Sequence, residues 1–236
     1  MQERSVSDNK VIISDKTAGK NLELPVVRGT EGEPTLDIKS LASTLGYFTY
    51  DPGFATTAAC TSKITFIDGG KGILRYRGYP IEQLAERSTF VEVAYLLLNG
   101  ELPTEKQLNA FRDEITYHTM VHEQLHTFIS GFHYDAHPMA VVSAVVGSMS
   151  AYYHDTTDVH NPEHRDIFAH RIVAKLPTIA AAAYKLSIGQ PFMYPKNGLN
   201  YTENFLQMMF SVPAEPYEVD PIQAEALDLL FILHAD

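Results

Sequence analysis

Residues 64–81, ITFIDGGKGILRYRGYPI, mark the point where strand-forming sequence gives way to helix-forming sequence. β-Branched and aromatic residues in 64–67 and 73–76 flank the glycine-rich stretch 68–72, and this pattern predicts a β-hairpin. From Pro80 onward, apolar residues recur at helical spacing between cap and stop signals. We therefore expect a mainly α protein with a small N-terminal β element.

The remaining elements are predicted outward from that segment. Short strands are expected at 11–13 and 22–27, and a short helix at 37–45 that Gly46 closes. Helices are predicted at 81–85, 90–99, from Thr104 to Gly131, at 139–153, from Pro162 to Ile188, at 202–210, and from Pro221 onward. In the second of these, Thr89 is the expected N-cap and Glu92 occupies the third helical position. The helix from Pro162 to Ile188 is expected to bend at Pro177. The helix at 139–153 is apolar all round, so we expect it to be buried. The predicted domains are a β-rich segment with a short helix, 1–79, and a helical domain, 80–236.

Composition excludes several classes of protein. The 236 residues include 18 Lys and Arg against 29 Asp and Glu, a formal charge of −11, which disfavours nucleic acid and anionic lipid partners. The one cysteine, Cys60, cannot form an internal disulfide, and no apolar run reaches the ~20 residues of a membrane span. We expect a soluble, cytoplasmic protein without a nucleic acid or membrane partner.

A zinc-protease motif, H-E-x-x-H, is present at His122, Glu123 and His126. On one helix it would place two imidazoles and a carboxylate around a metal-bound water. No downstream third ligand matches the extended motif, and His118 prolongs the row by one turn. We therefore interpret these histidines as a polar helical face and keep a zinc metalloprotease as the alternative.

Basic residues on a later helix form a second candidate site. Arg171 and Lys175 are four residues apart and share one helix face, and Arg165 lies less than two turns earlier. Such a pair can bind a phosphate group. An ordinary solvated face is the other interpretation, and on the residues alone it is favoured.

The final helix carries an apolar stripe of Ile222, Ala226, Leu229, Leu230 and Leu233. The chain then reads His234-Ala235-Asp236, without a glycine or basic residues to close the helix. We expect a chain whose continuation is missing; a natural short terminus is the alternative.

Several segments together carry a resemblance to a known family. They are the G-x-L-x-Y-R-G-Y-x-I-like stretch within 64–81, then 92–103 (EVAYLLLNGELP), 118–123 (HTMVHE), 137–139 (HPM), 153–155 (YHD), 187–195 (SIGQPFMYP) and 232–236 (ILHAD). In this order they resemble citrate synthase, and the β-rich extension before Ile64 is similar to that of the bacterial hexameric type, type II. 2-Methylcitrate synthases are similar in the helical part but usually lack that extension.

The resemblance implies a multi-helix large domain and the condensation of acetyl-CoA with oxaloacetate to citrate, the entry step of the tricarboxylic acid cycle. It implies an acyltransferase with no cofactor and a homo-oligomer, dimeric or hexameric. The family's catalytic histidines, aspartate and arginines fall beyond Asp236, as does its small domain. No catalytic residue is therefore expected within this chain, and His234, which begins the H-A-D-H-E segment, is substrate-proximal at most. We expect the chain alone to be inactive, or to act as a non-catalytic assembly module.

The resemblance also implies an allosteric site for NADH as an inhibitor on the large domain. The positions that match are His118, Thr119, Tyr153, Arg171, Lys175 and Asn197. Tyr117 stands where the family often has arginine, and Val212 and Ala214 replace a threonine and a cysteine usual in NADH-sensitive members.

Overall fold

A computed structural model describes residues 10–236, and the chain divides at Gly78 into two compact units. The first contains strands β1 (Lys10–Asp15), β2 (Lys20–Val27) and β3 (Thr35–Leu36), helix α1 (Leu41–Leu45), and strands β4 (Thr65–Asp68) and β5 (Ile73–Tyr76). The second contains strand β6 (Tyr79–Pro80) and helices α2 (Ile81–Arg87), α3 (Phe90–Asn99), α4 (Glu105–His118), α5 (Glu123–Ser130), α6 (Pro138–Ser148), α7 (Pro162–Ser187), α8 (Tyr201–Phe210) and α9 (Pro221–Leu233).

Antiparallel pairing organises the first unit. Lys10 lies opposite Pro25 and Asp15 opposite Lys20, so β1 and β2 form a hairpin to which β3 adds. The predicted β4–β5 hairpin is confirmed, with its four-residue strands joined by the glycine-rich turn. A small core forms where Leu22 and Leu24 of β2 pack with Leu41 of α1.

The first helix is shorter than the predicted 37–45. The backbone N–H of Asp37 donates to the carbonyl of Pro25 in β2, at 2.9 Å. The Asp37 carboxylate then accepts from the N–H of Lys39, at 3.1 Å. These bonds tie the segment to the strand, so α1 begins only at Leu41; Gly46 ends it as predicted, with a φ of 79°.

The largest core of the second unit lies between α5, α6 and α7. Its buried residues are Val121, Leu125, Ile129, Val141, Val145, Met149, Ile179, Ala182 and Ala183. Alanines on α7 allow the neighbouring helices to approach closely, and Pro177 lies inside α7 without ending it. Within residues 10–236, no helix is long and apolar enough to cross a membrane.

Helix α3 begins as its sequence predicts. The carboxylate of Glu92 accepts from the backbone N–H of Thr89 at 2.8 Å, forming a capping box, and Gly100 ends the helix. The next N–H, of Phe90, donates at 2.9 Å to the carboxylate of Asp228 on α9. That carboxylate also accepts from the hydroxyl of Thr202 on α8, at 2.7 Å. Asp228 therefore joins three helices.

The predicted helix from Thr104 to Gly131 is wrong in one respect, because the chain breaks after His118. Thr104 caps α4 as predicted, but a separate helix, α5, begins at Glu123. At the break, the carbonyl of Thr119 accepts from the hydroxyl of Thr178 on α7, at 2.8 Å. Thr178 thus supplies a hydrogen-bond donor to a backbone carbonyl at the point where the chain leaves α4.

Helix α6 is shorter and less buried than expected. It ends at Ser148, and two short 3-10 helices follow, Met149–Ala151 and His154–Thr156. Only one face is buried, through Val141 and Val145, and the side chain of Met139 is 63% exposed. The all-round apolar pattern therefore does not correspond to burial on all sides in this chain.

Candidate functional site

Arg171 projects from the middle of α7 and forms a bidentate ion pair with Asp155. Its Nη1 and Nη2 atoms donate to the two carboxylate oxygens, each at 2.8 Å, and Nη1 also donates to the Thr156 hydroxyl at 3.1 Å. The guanidinium holds the pKa of Asp155 at about 2. Two parallel charge-assisted bonds fix the plane of the guanidinium as well as its position.

Lys175 lies one turn further along α7 and is buried. Its Nζ atom donates to the backbone carbonyls of His118, at 2.7 Å, and Met120, at 2.5 Å. Burial, and to a smaller extent the positive charge of Arg171, lowers the pKa of Lys175 to about 8. The ammonium thus occupies the break between α4 and α5.

Tyr153 supplies the aromatic wall of this cluster. The Lys175 ammonium lies 4.9 Å from the centre of its ring, and the Arg171 guanidinium carbon 5.3 Å away. Burial raises the pKa of the Tyr153 hydroxyl. The pKa of the nearby His118 is lowered, first by burial and then by the charges of Lys175 and Arg171. Cations stacked against an aromatic face are stabilised by the ring quadrupole.

Five of the six residues matched to an NADH site therefore lie together, which we call the α7 cluster: His118, Thr119, Tyr153, Arg171 and Lys175. Thr119 belongs to it only by position, because it lies between His118 and Met120, whose carbonyls Lys175 binds; its own carbonyl accepts from Thr178 outside the cluster. Asn197 lies in an exposed turn before α8, and none of the described hydrogen bonds or ring contacts links it to the cluster. Arg165 is also apart from it and donates to the carbonyl of Val159 at 2.9 Å.

Sequence reasoning did not identify the partners of these cations. Asp155 and Thr156 stand directly after the matched Tyr153, so their position offered a signal, but no spacing rule relates them to Arg171. The carbonyl of Met120 carries no side-chain signal at all. In the structure, neither cation of the pair is a solvated surface charge: Lys175 is 3% exposed.

The H-E-x-x-H residues do not share one helix as a zinc site requires. His122 is the N-cap of α5, and its Nδ1 atom accepts from the backbone N–H of Gln124 at 3.1 Å. His126 is buried between the rings of Phe192 and Tyr194. Across residues 10–236, no three His, Cys, Asp or Glu side chains are grouped so that they could hold a metal ion.

The end of α9 is closed by His234 in a way that its sequence did not indicate. The backbone N–H of His234 bonds to the carbonyl of Leu230, and its Nδ1 atom donates to the same carbonyl at 2.8 Å. Ala224 and Ile232 are buried, whereas Ile222 and Leu233 of the predicted stripe remain exposed, at 76% and 44%. His234 contributes here to helix termination.

A cavity of about 700 Å³ lies between α4, α8, α9 and the start of α3. Its wall includes Arg112 together with the carboxylates of Glu86, Glu203 and Asp228. This volume lies in the range of small-molecule sites. Two of the carboxylates already accept hydrogen bonds from backbone N–H groups at helix N-termini: Glu203 in the capping box of α8, and Asp228 from the first N–H of α3.

Comparison with known proteins decides the family. The family model described as citrate synthase, C-terminal domain, matches residues 53–236, which is most of the chain. The chain belongs to the citrate synthase family. The predicted family and the mainly α fold are thereby confirmed.

Solved citrate synthases share the fold. The enzyme from Pyrobaculum aerophilum is 29% identical, with a TM-score of 0.66, over 100% of this chain and 52% of its own. The enzyme from Thermoplasma acidophilum, solved with carboxymethyl coenzyme A and oxaloacetate, is 26% identical, with a TM-score of 0.69. The match covers 76% of this chain and 45% of the Thermoplasma chain. The enzyme from Thermotoga maritima is 30% identical, with a TM-score of 0.63, and the match covers 78% of this chain and 46% of the Thermotoga chain. The chain spans about half the length of these structures.

Proposed function

We propose that this chain forms the large-domain scaffold of an enzyme that condenses acetyl-CoA with oxaloacetate and water to give citrate and CoA. In that reaction the acetyl methyl carbon bonds to the ketone carbon of oxaloacetate, and water then cleaves the thioester. The observation that carries the proposal is the family match over residues 53–236, which includes every helix of the second unit. The ligands in the Thermoplasma acidophilum structure support the choice of substrates.

We propose further that a polypeptide of residues 1–236 has no synthase activity by itself. The resemblance places the enolising and carbonyl-polarising groups after Asp236, and His234 bonds its own helix carbonyl. Citrate formation needs groups that hold both substrates and stabilise developing charge.

A thiol-release assay tests both statements. Acetyl-CoA, oxaloacetate and a thiol reagent are supplied to purified residues 1–236 and, separately, to the product of the whole open reading frame. We expect CoA release only from the second protein. Turnover at an ordinary enzyme rate by residues 1–236 would contradict the proposed inactivity. No release from the whole product would contradict the citrate synthase function.

A homo-oligomeric, cytoplasmic enzyme of the tricarboxylic acid cycle is the setting we propose for this activity. The assembly-module alternative predicts instead that residues 1–236 enter mixed oligomers with a complete synthase without turning over substrate. Co-expression with a tagged synthase, followed by affinity purification and native mass spectrometry, distinguishes the two. Recovery of this chain only in aggregates would count against the module.

For regulation, we propose that the α7 cluster binds the anionic groups of NADH. Two cations one turn apart, beside an aromatic ring, support this choice. Binding must displace Asp155 from Arg171, which would reduce the affinity. Fluorescence titration with NADH should show weaker binding in Arg171→Ala than in Arg165→Ala, the matched control on the same helix. Equal affinities in the two variants would remove the cluster from consideration.

A further inference from the structure

Asp155 and its neighbour Thr156 bind the edge of the Arg171 guanidinium that an incoming anion would need. The two carboxylate oxygens accept from Nη1 and Nη2, and the Thr156 hydroxyl accepts a second N–H of Nη1. Three of the five N–H donors of the guanidinium are therefore used by two adjacent residues. The Arg171 side chain is only 14% exposed. A phosphate group can use these donors only if the carboxylate leaves them.

The Asp155 carboxylate is held less firmly than its partner. It lies on a 3-10 helix of three residues, His154–Thr156, and its side chain is 61% exposed. Among the side chains of residues 10–236, only that of Arg171 donates a hydrogen bond to it. Because its outer side faces water, the carboxylate can be hydrated when it turns away. Arg171 stays in place on α7, so an exchange of anions requires only Asp155 to move.

The charge balance of the α7 cluster favours a ligand with two negative charges. At pH 7 Arg171 and Lys175 are both cationic, since even the lowered pKa of Lys175 is about 8. With Asp155 in place these three groups have a net charge of one, and without it the two cations are uncompensated. A phosphate group carries about −1.5 to −2 at pH 7 and offers three acceptor oxygens. It can therefore neutralise the opened pair, which a single carboxylate cannot do.

Asp155 has an advantage over any free anion because it is part of the same chain. A group on a short tether acts at an effective concentration in the millimolar range. A free ligand must exceed that concentration or bind the cations more strongly than the carboxylate does. Where the binding-competent state is only partly populated, the apparent affinity falls by that fraction. The position of Asp155 thus sets a threshold for ligand binding.

We infer that Asp155 is a built-in competitor for the anion site of the α7 cluster. The ion-paired state excludes ligands, and a ligand that carries a phosphate group binds the state in which Asp155 has turned to solvent. This inference rests on the regulatory site proposed above and identifies the residue that limits its affinity. It also gives the site an autoinhibitory contact, supplied by the chain itself.

Isothermal titration calorimetry on the 236-residue chain tests the inference, with inorganic phosphate and NADH as separate probes at pH 7 and constant ionic strength. Asp155→Asn removes the competing charge with little change of shape. Asp158→Asn is the matched control, because Asp158 is exposed in the same segment and its loss changes the net charge equally. We expect Asp155→Asn to bind about 10-fold more tightly or better, and the control to stay within about twofold of wild type. Adding Arg171→Ala to Asp155→Asn should abolish the gain.

The two probes distinguish the source of the phosphate group. A gain with both would indicate recognition of the phosphate group alone, and a gain with NADH only would indicate a dinucleotide site; either supports the inference. Equal affinities in Asp155→Asn and Asp158→Asn would overturn it, while the NADH site itself would still stand if Arg171→Ala binds more weakly than Arg165→Ala. Absence of phosphate and NADH binding in wild type and Asp155→Asn alike would overturn both.

Hydrogen–deuterium exchange supplies a test that needs no substitution. In the wild-type chain, saturating NADH should accelerate exchange of the backbone amides of residues 154–157, because the carboxylate that holds this segment on Arg171 is released. The amides of the following helix, α7, should not exchange faster. Unchanged exchange at 154–157 in the saturated protein would show that the ligand binds while Asp155 remains in place, and would overturn the inference.

Discussion

Lys175 should make the stability of the second unit rise with pH above pH 8. The pKa of this buried ammonium is about 8 in the folded chain, against an ordinary lysine pKa of 10.5. Between these values the unfolded chain binds more protons, so the free energy of unfolding increases as pH increases. One pKa unit corresponds to 1.36 kcal/mol. Lys175 therefore contributes a gain of about 1.5 kcal/mol between pH 8 and pH 9.5.

Urea denaturation followed by circular dichroism at 222 nm measures this gain across pH 7–9.5, at one protein concentration. Lys175→Met removes the titrating group, and its pH profile should be flatter than that of the wild type by the same amount. Lys106→Met is the matched control, because Lys106 is exposed on α4 and its substitution should leave the profile unchanged. Identical slopes in wild type and Lys175→Met would refute the assignment of the effect to this buried charge.

Three further predictions concern packing and metal binding. Asp228→Ala should lower the free energy of unfolding by about 2–4 kcal/mol, because two partly buried donors lose their acceptor. Glu225→Ala on the exposed side of α9 should change it by less than about 0.5 kcal/mol; urea titration measures both. Val145→Ala should cost about 1–3 kcal/mol, and Met139→Ala much less, since only Val145 is buried; similar losses in the two would contradict the one-sided burial of α6. Elemental analysis of protein purified without chelator should find no stoichiometric zinc, and His126→Ala should not alter that content.

Local signals predicted the parts of the fold that depend on neighbouring residues. The glycine turn between β4 and β5, the capping box of Thr89 and Glu92, and the proline at the start of α9 all act within a few positions. The break between α4 and α5 could not be predicted in this way. It depends on Thr178 and Lys175, which are more than fifty residues distant in sequence. The burial of α6 was misjudged because an apolar pattern does not say which neighbours are present to cover it.

In the candidate site too, the sequence predicted the features that depend on local spacing and missed those that depend on residues distant in the chain. The i, i+4 spacing placed Arg171 and Lys175 on one face of a helix, and the resemblance added His118, Thr119 and Tyr153, which the structure brings together with them. The bidentate acceptor Asp155 was not identified, because a helix face specifies the direction of a side chain and not its partner. The predicted polar helical face of His118, His122 and His126 was wrong for a related reason. The sequence did not show that a separate helix would begin only at Glu123, nor that His126 would be buried against the rings of Phe192 and Tyr194.

The junction after α4 also has a consequence for the order of folding. Its backbone carbonyls are bound by side chains of α7 that are 55–59 positions later in the chain. Helices α4 and α5 can each nucleate from local contacts, but the turn between them is complete only when α7 has docked. If docking follows the folding transition state, Thr178→Val and Lys175→Met should mainly accelerate unfolding and leave the refolding rate nearly unchanged. The two arms of a chevron plot would then locate this junction among the last contacts to form.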